Sequence, residues 1–94
     1  MKLYNSKEVL NIIPREVVGL IWDYFINKNI PNGEILIIKI SKFKDDYLHL
    51  VDYKSLNNSK FLGKFYIKIF SYIEVELAIL NNNDSKIMIL KDEL

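Results

Sequence analysis

Cysteine is missing from this chain, glycine occurs three times, proline twice, and histidine and tryptophan once each. Without cysteine no disulfide can hold the fold, and the lone histidine has no thiol to activate. Three glycines include no phosphate-cradling loop and no nucleophile elbow. There is no internal repeat and no low-complexity linker, so the 94 residues read as a single domain, 1–94. The longest uncharged apolar run in the strand region is "ILII" at 35–38, far short of the roughly 20 residues of a membrane span. An excess of one charge is lacking too. Thirteen basic and twelve acidic residues leave a net charge of +1, with no block of like charges. That argues against a dedicated double-stranded nucleic-acid binder, which carries a clear positive excess.

Apolar residues are abundant. They make up 50% of the chain, with Trp22, six Tyr and five Phe among them. A chain this short hides only about 60–65% of its unfolded surface. Some apolar area therefore needs a cover outside one copy, and self-association or a partner protein supplies it. Twelve Lys against one Arg, with fifteen Ile and ten Asn, are the residues of AT-rich codons, which suggests a bacterial or phage gene. The final "KDEL" would return a secreted eukaryotic protein to the endoplasmic reticulum. The start, "MKLYNSKEVLNIIPREVV", is broken by Asn5, Ser6, Lys7, Glu8 and Asn11 and offers no secretory h-region. Lys91 to Leu94 are therefore expected to be the solvated end of a last strand, and the protein is expected to be cytoplasmic.

Periodicity outlines the fold. Residues 3–11 fit either a short helix opened at Ser6 or an extended arm. The stretch 14–29 predicts a helix: Pro14 suits its first position. Glu16, Gly19, Asp23 and Asn27 form a polar stripe, and Val17, Val18, Leu20, Ile21, Trp22, Tyr24 and Phe25 form a wide apolar arc. "NIPNG" (29–33) ends it. Strands are then expected over 34–43, 46–53, 61–70, 72–80 and 86–91. In the first, Ile35 and Ile37 lie on one face and Leu36, Ile38 and Ile40 on the other. A tight turn at 70–72 would set Lys68 opposite Glu74. The expected class is α+β, with one main N-terminal helix packed on a mainly antiparallel sheet of about five strands.

The segment "IPREVVGLIW" (13–22) and the end "AILNNNDSKIMILKDEL" resemble a family of small Firmicute proteins known as domain of unknown function 960. The first matches that family's helix start. The second matches its closing strand, polar turn and last strand, at Asn81, Asn82, Asn83, Asp84, Ser85, Met88, Leu90 and Glu93. "YNSKEV" (4–9) is a looser match. The turn departs by carrying Asn where the family tends to have Asp, and Ser85 where it tends to have His. A Pro-containing segment expected near 54–61 is missing. The resemblance implies an intracellular bacterial or mobile-element protein and implies no activity.

No catalytic, cofactor or metal set emerges. His49 stands alone in a strand with Tyr47, Val51 and Tyr53 on its face. Glu74 with Glu76, Asp45 with Asp46, and the "NNND" turn with Ser85 supply oxygen atoms without the convergence a metal needs. A sheet face opposite the helix would show Tyr47, His49, Tyr53, Tyr66, Lys39, Lys64 and Lys68, an arrangement that could stack single-stranded bases, although Glu74 and Glu76 would repel phosphates. The expected function is that of a small non-enzymatic protein acting through protein contacts, such as a phage- or mobile-element-borne accessory or inhibitor of defence. A single-stranded nucleic-acid binder is the alternative. A homodimer is expected, because one helix covers one face of the sheet and leaves Ile35 and Ile37 bare.

Overall fold

The computed structural model of the chain describes residues 2–44 and 47–94. Strand β1 (Lys2–Asn5) leads into helices α1 (Lys7–Ile12) and α2 (Arg15–Phe25), followed by β2 (Ile35–Lys42), β3 (Leu48–Ser55), β4 (Phe61–Lys68), β5 (Val75–Asn81) and β6 (Ser85–Leu90). One six-stranded sheet runs in the order β1-β6-β5-β2-β3-β4. Among the described residues only the β1–β6 pair is parallel. The mixed helix-and-sheet class is as expected, with six strands in place of five and two short helices in place of one long one. Both alternatives for residues 3–11 are realised in succession. Asn5 ends the strand, and Ser6 caps α1 by accepting the Val9 amide N–H at 3.2 Å.

Helix α2 is shorter than 14–29: Pro14 stands outside it as the N-cap, and it ends at Phe25 with Ile26 as the C-cap. Its buried arc is Val17, Val18, Ile21, Trp22 and Phe25. This arc packs on Leu36, Ile38 and Ile40 of β2, Val51 and Tyr53 of β3, Leu77 and Ile79 of β5, and Met88 of β6. The alternation expected for β2 therefore holds. Trp22 is 7% exposed, and its indole N–H donates to Asn5 Oδ1 at 2.9 Å, tying α2 to the edge strand.

The hairpin that a tight turn at 70–72 would close does not form. β4 pairs only with β3, and β5 joins the far side of β2, so Lys68 stands opposite Leu48 and not Glu74. Residues 69–74 instead form a strap across the ends of β3 and β2. Ile69 and Ile73 turn inward to the core, which keeps the strap on the helix side. The apolar periods of 61–70 and 72–80 fit either arrangement, because local pattern does not specify which strand is a neighbour. Asp45 and Asp46 lie outside the described residues.

The C-terminal residues are also more than a strand end. Lys91–Glu93 form one 3₁₀ turn. The Glu93 carboxylate accepts from the Leu90 N–H at 2.8 Å and from the Ser6 hydroxyl at 2.7 Å, so "KDEL" latches the end of β6 to the cap of α1.

Because Trp22 fills the joint between α2, β1 and the sheet, Trp22→Ala is expected to cost about 3–5 kcal/mol in chemical denaturation. Trp22→Phe keeps most of the apolar volume and should cost distinctly less. A loss under about 1 kcal/mol for the alanine variant would contradict this packing.

Candidate interaction face

The two faces of the sheet differ in what lies over them. The helices and the strap lie on one. The other carries side chains in register rows that run across the strands. One row is Tyr4, Ile87, Leu80 and Ile35; the next is Ile89, Ala78, Ile37 and Lys54. Ile37 and Ala78 are buried without belonging to the helix-side core. Ile35, Leu80, Ile87 and Ile89 remain half-buried, and Tyr4 is exposed. The third row is Glu76, Lys39, Asp52 and Lys64, an alternation of charge set up by register. Opposite charges facing across strands stabilise a sheet by about 0.2–1 kcal/mol per pair. Lys91 adds an ion pair to Glu76 at 3.0 Å. Beyond it come Ser41, Leu50 and Tyr66.

The residues expected on this face divide into three groups. Ile35, Ile37, Lys64, Tyr66, Lys68 and Lys39 are on it. His49 and Tyr53 are not: both point to the helix side and are buried. Their parity is shared with Val51, which belongs to the core, and the opposite parity of β3 begins with Leu48 and Leu50. Both faces of that strand therefore start apolar, and the sequence pattern alone picks neither. Tyr47 precedes β3 and is exposed at the end of the sheet, where its ring lies 5.3 Å from Phe70. Phe70 is 85% exposed and Tyr72 also protrudes, a cluster on the strap that a turn at 70–72 concealed.

His49 has a structural role. Its Nε2 accepts the Ile73 N–H at 3.3 Å, which assigns the ring proton to Nδ1, 3.3 Å from the Tyr47 carbonyl. The Ile69 N–H also donates to that carbonyl, at 2.7 Å. The lone histidine thus holds the Ile73 end of the strap directly, and its other ring nitrogen shares the Tyr47 carbonyl that holds the Ile69 end. Tyr53 exchanges a hydrogen bond of 2.9 Å with the Tyr24 hydroxyl and meets Phe25 and Phe65 at its ring edge or face. Across the ladder stands Gly63, where a Cβ would lie 2.6 Å from the Tyr53 hydroxyl oxygen. A side chain there would force the ring out of the core.

Among the described residues no group of three or more His, Cys, Asp or Glu side chains gathers to hold a metal, and no helix is long and apolar enough to cross a membrane. Glu74 ends before β5 begins and accepts a hydrogen bond from the Tyr72 hydroxyl, which raises the pKa of that phenol. It does not share a strand with Glu76.

No protein-family model and no curated protein matches the chain. Among solved structures, a protein of unknown function from Enterococcus faecalis is similar, with a TM-score of 0.66 over 99% of this chain and 90% of that one. The two are 18% identical, so the likeness is one of fold.

Burial, and then the Tyr24 hydroxyl, push the Tyr53 phenol up to about 12, whereas a solvated phenol titrates near 10. The folded chain holds this proton more tightly than the unfolded one. Its contribution is therefore complete below about pH 10 and is lost as pH rises through about 12. Wild type should lose stability relative to Tyr53→Phe across that window, as read by denaturant unfolding at a series of alkaline pH values. Parallel pH profiles for the two proteins would contradict the buried placement.

Proposed function

We propose that the chain acts through protein–protein contact at the helix-free face of its sheet, and that a second copy of the chain occupies that face. The observation that carries the reading is the pair of apolar rows from Tyr4 to Ile35 and from Ile89 to Ile37, with no described element lying over them. Six strands at about 4.8 Å spacing make a face roughly 25 Å wide. Two such faces packed about 10 Å apart would bury an area on the order of the 800 Å² per partner of a standard interface. The alternating charges from Glu76 to Lys64 then form the rim, and a two-fold operation can set each charge against its opposite. In this reading the chain carries no reaction of its own and works in the cytoplasm. Membership of domain of unknown function 960 belongs to the same proposal and rests on the patterns at 13–22 and 81–94.

Single-strand nucleic-acid binding has less support. Two of its rings, His49 and Tyr53, are inside the core. Lys39 and Lys64 stand in register with Glu76 and Asp52, which opposes a phosphate backbone.

Wild type should sediment as a dimer at high micromolar concentration, and the dimer should weaken little with added salt. Ile35→Lys with Ile87→Lys, both at half-buried positions, should give a folded monomer with unchanged secondary structure. A monomeric wild type would sink the self-association. A complex with single-stranded DNA that weakens steeply as salt rises would instead favour the nucleic-acid reading.

A further inference from the structure

Where α2 ends, the sheet is no longer covered by helix, and a cavity of about 370 Å³ opens between the end of the helix, the start of β2 and the turn after β3. This is at the lower end of the range of about 300–1,000 Å³ for small-molecule sites. Its floor is apolar: Phe25, Leu36 and Tyr53 line it, and all three are buried. One wall carries the Glu34 carboxylate, which accepts a hydrogen bond from the hydroxyl of Ser55, a residue only 3% exposed. Lys28 and Lys60 stand at the rim. The Lys28 ammonium lies 4.5 Å from the centre of the Tyr24 ring. Lys60 has no side-chain hydrogen bond or ion pair among the described residues.

The loop that carries the carboxylate is held in place from behind. Asn81, buried at the end of β5, donates through Nδ2 to the carbonyls of Ile30 and Pro31 at 2.9 Å each. Its own carbonyl accepts the Gly33 N–H at 2.8 Å, and its N–H donates to the Glu34 carbonyl at 3.2 Å. The buried Lys86 ammonium donates to Asn81 Oδ1 at 2.8 Å, which fixes the amide orientation. Gly33, at φ 84°, makes the turn that presents Glu34. The loop 30–34 is thus clamped by the side chain and the backbone of one residue, Asn81, so Glu34 meets a ligand without having to be ordered first.

We infer that this cavity binds a zwitterionic α-amino acid with an aromatic or branched apolar side chain, its ammonium on Glu34 and its carboxylate between Lys28 and Lys60. The composition of the site selects this class. A purely apolar ligand would strip water from Glu34 and give nothing back. A simple anion would face that carboxylate, and a simple cation would face two lysines. A zwitterion satisfies both signs through charge-assisted hydrogen bonds, and its side chain rests on Phe25, Leu36 and Tyr53.

The test is a ¹H–¹⁵N NMR titration of the full chain with L-phenylalanine and L-leucine. Two further probes, 3-phenylpropionate and phenethylamine, each lack one of the charges. Expected are saturable shifts of the Glu34, Ser55 and Lys60 amides with a Kd on the order of 1 mM or tighter for the amino acids, and binding at least about tenfold weaker for each single-charge probe. Glu34→Gln still offers Ser55 an acceptor and should weaken phenylalanine by at least about tenfold. Lys60→Met, on the exposed rim, should do the same and serves if the first variant loses its dispersed spectrum. Absence of saturable shifts at these amides overturns the inference. So does equal binding of either single-charge probe, or unchanged affinity in the folded variants.

Discussion

Two short helices cannot cover both faces of a six-stranded sheet, and most of this structure follows from that constraint. An 11-residue helix is about 16 Å long and 10 Å across, while six strands span about 25 Å. The chain places α1, α2 and the strap 69–74 on one face and completes a single core there. The opposite face keeps its own apolar rows, in which Ile37 and Ala78 are buried. The cavity beneath Lys28 is the other consequence: it opens where the covering helix stops.

The strap makes this one-sided cover possible. It carries the chain from the β4 edge across β3 and β2, so that β5 can pair with β2 and make β2 a central strand. Six residues spanning three strand positions have few partners of their own. His49 supplies an acceptor for Ile73, and the Tyr47 carbonyl takes the Ile69 N–H. The lone histidine, buried in β3, is accounted for by backbone hydrogen bonds that would otherwise be unmade. The same accounting applies to Asn81 and Lys86, two buried polar residues that hold the loop bearing Glu34.

The polar rows on the helix-free face bear on its chemistry. Lysines expected to attract phosphates stand in a ladder with Glu76 and Asp52, so the face is close to electrically balanced along that row. Its distinguishing property is apolar area next to a balanced charged row, which is why the proposal favours a protein contact over a nucleic-acid groove.

Local pattern alone determined the α+β class, the inward arc of α2 through Trp22 and Phe25, and the alternation of Ile35 and Ile37 against Leu36, Ile38 and Ile40. Each of these depends on a period of 3.6 or 2 carried by adjacent residues. Tertiary structure decided strand order, the strap, the parallel edge strand β1 and the side to which His49 and Tyr53 turn. The reason is that hydrogen-bond ladders are indifferent to sequence separation, and a strand apolar on both faces, as β3 is at Leu48 to Val51, takes its orientation from whatever packs on it. The Glu34 cavity was invisible for the same reason. Its acid, its serine and its lysines are spread from Lys28 to Lys60, and they meet only because Asn81, far along the chain, holds the loop between them.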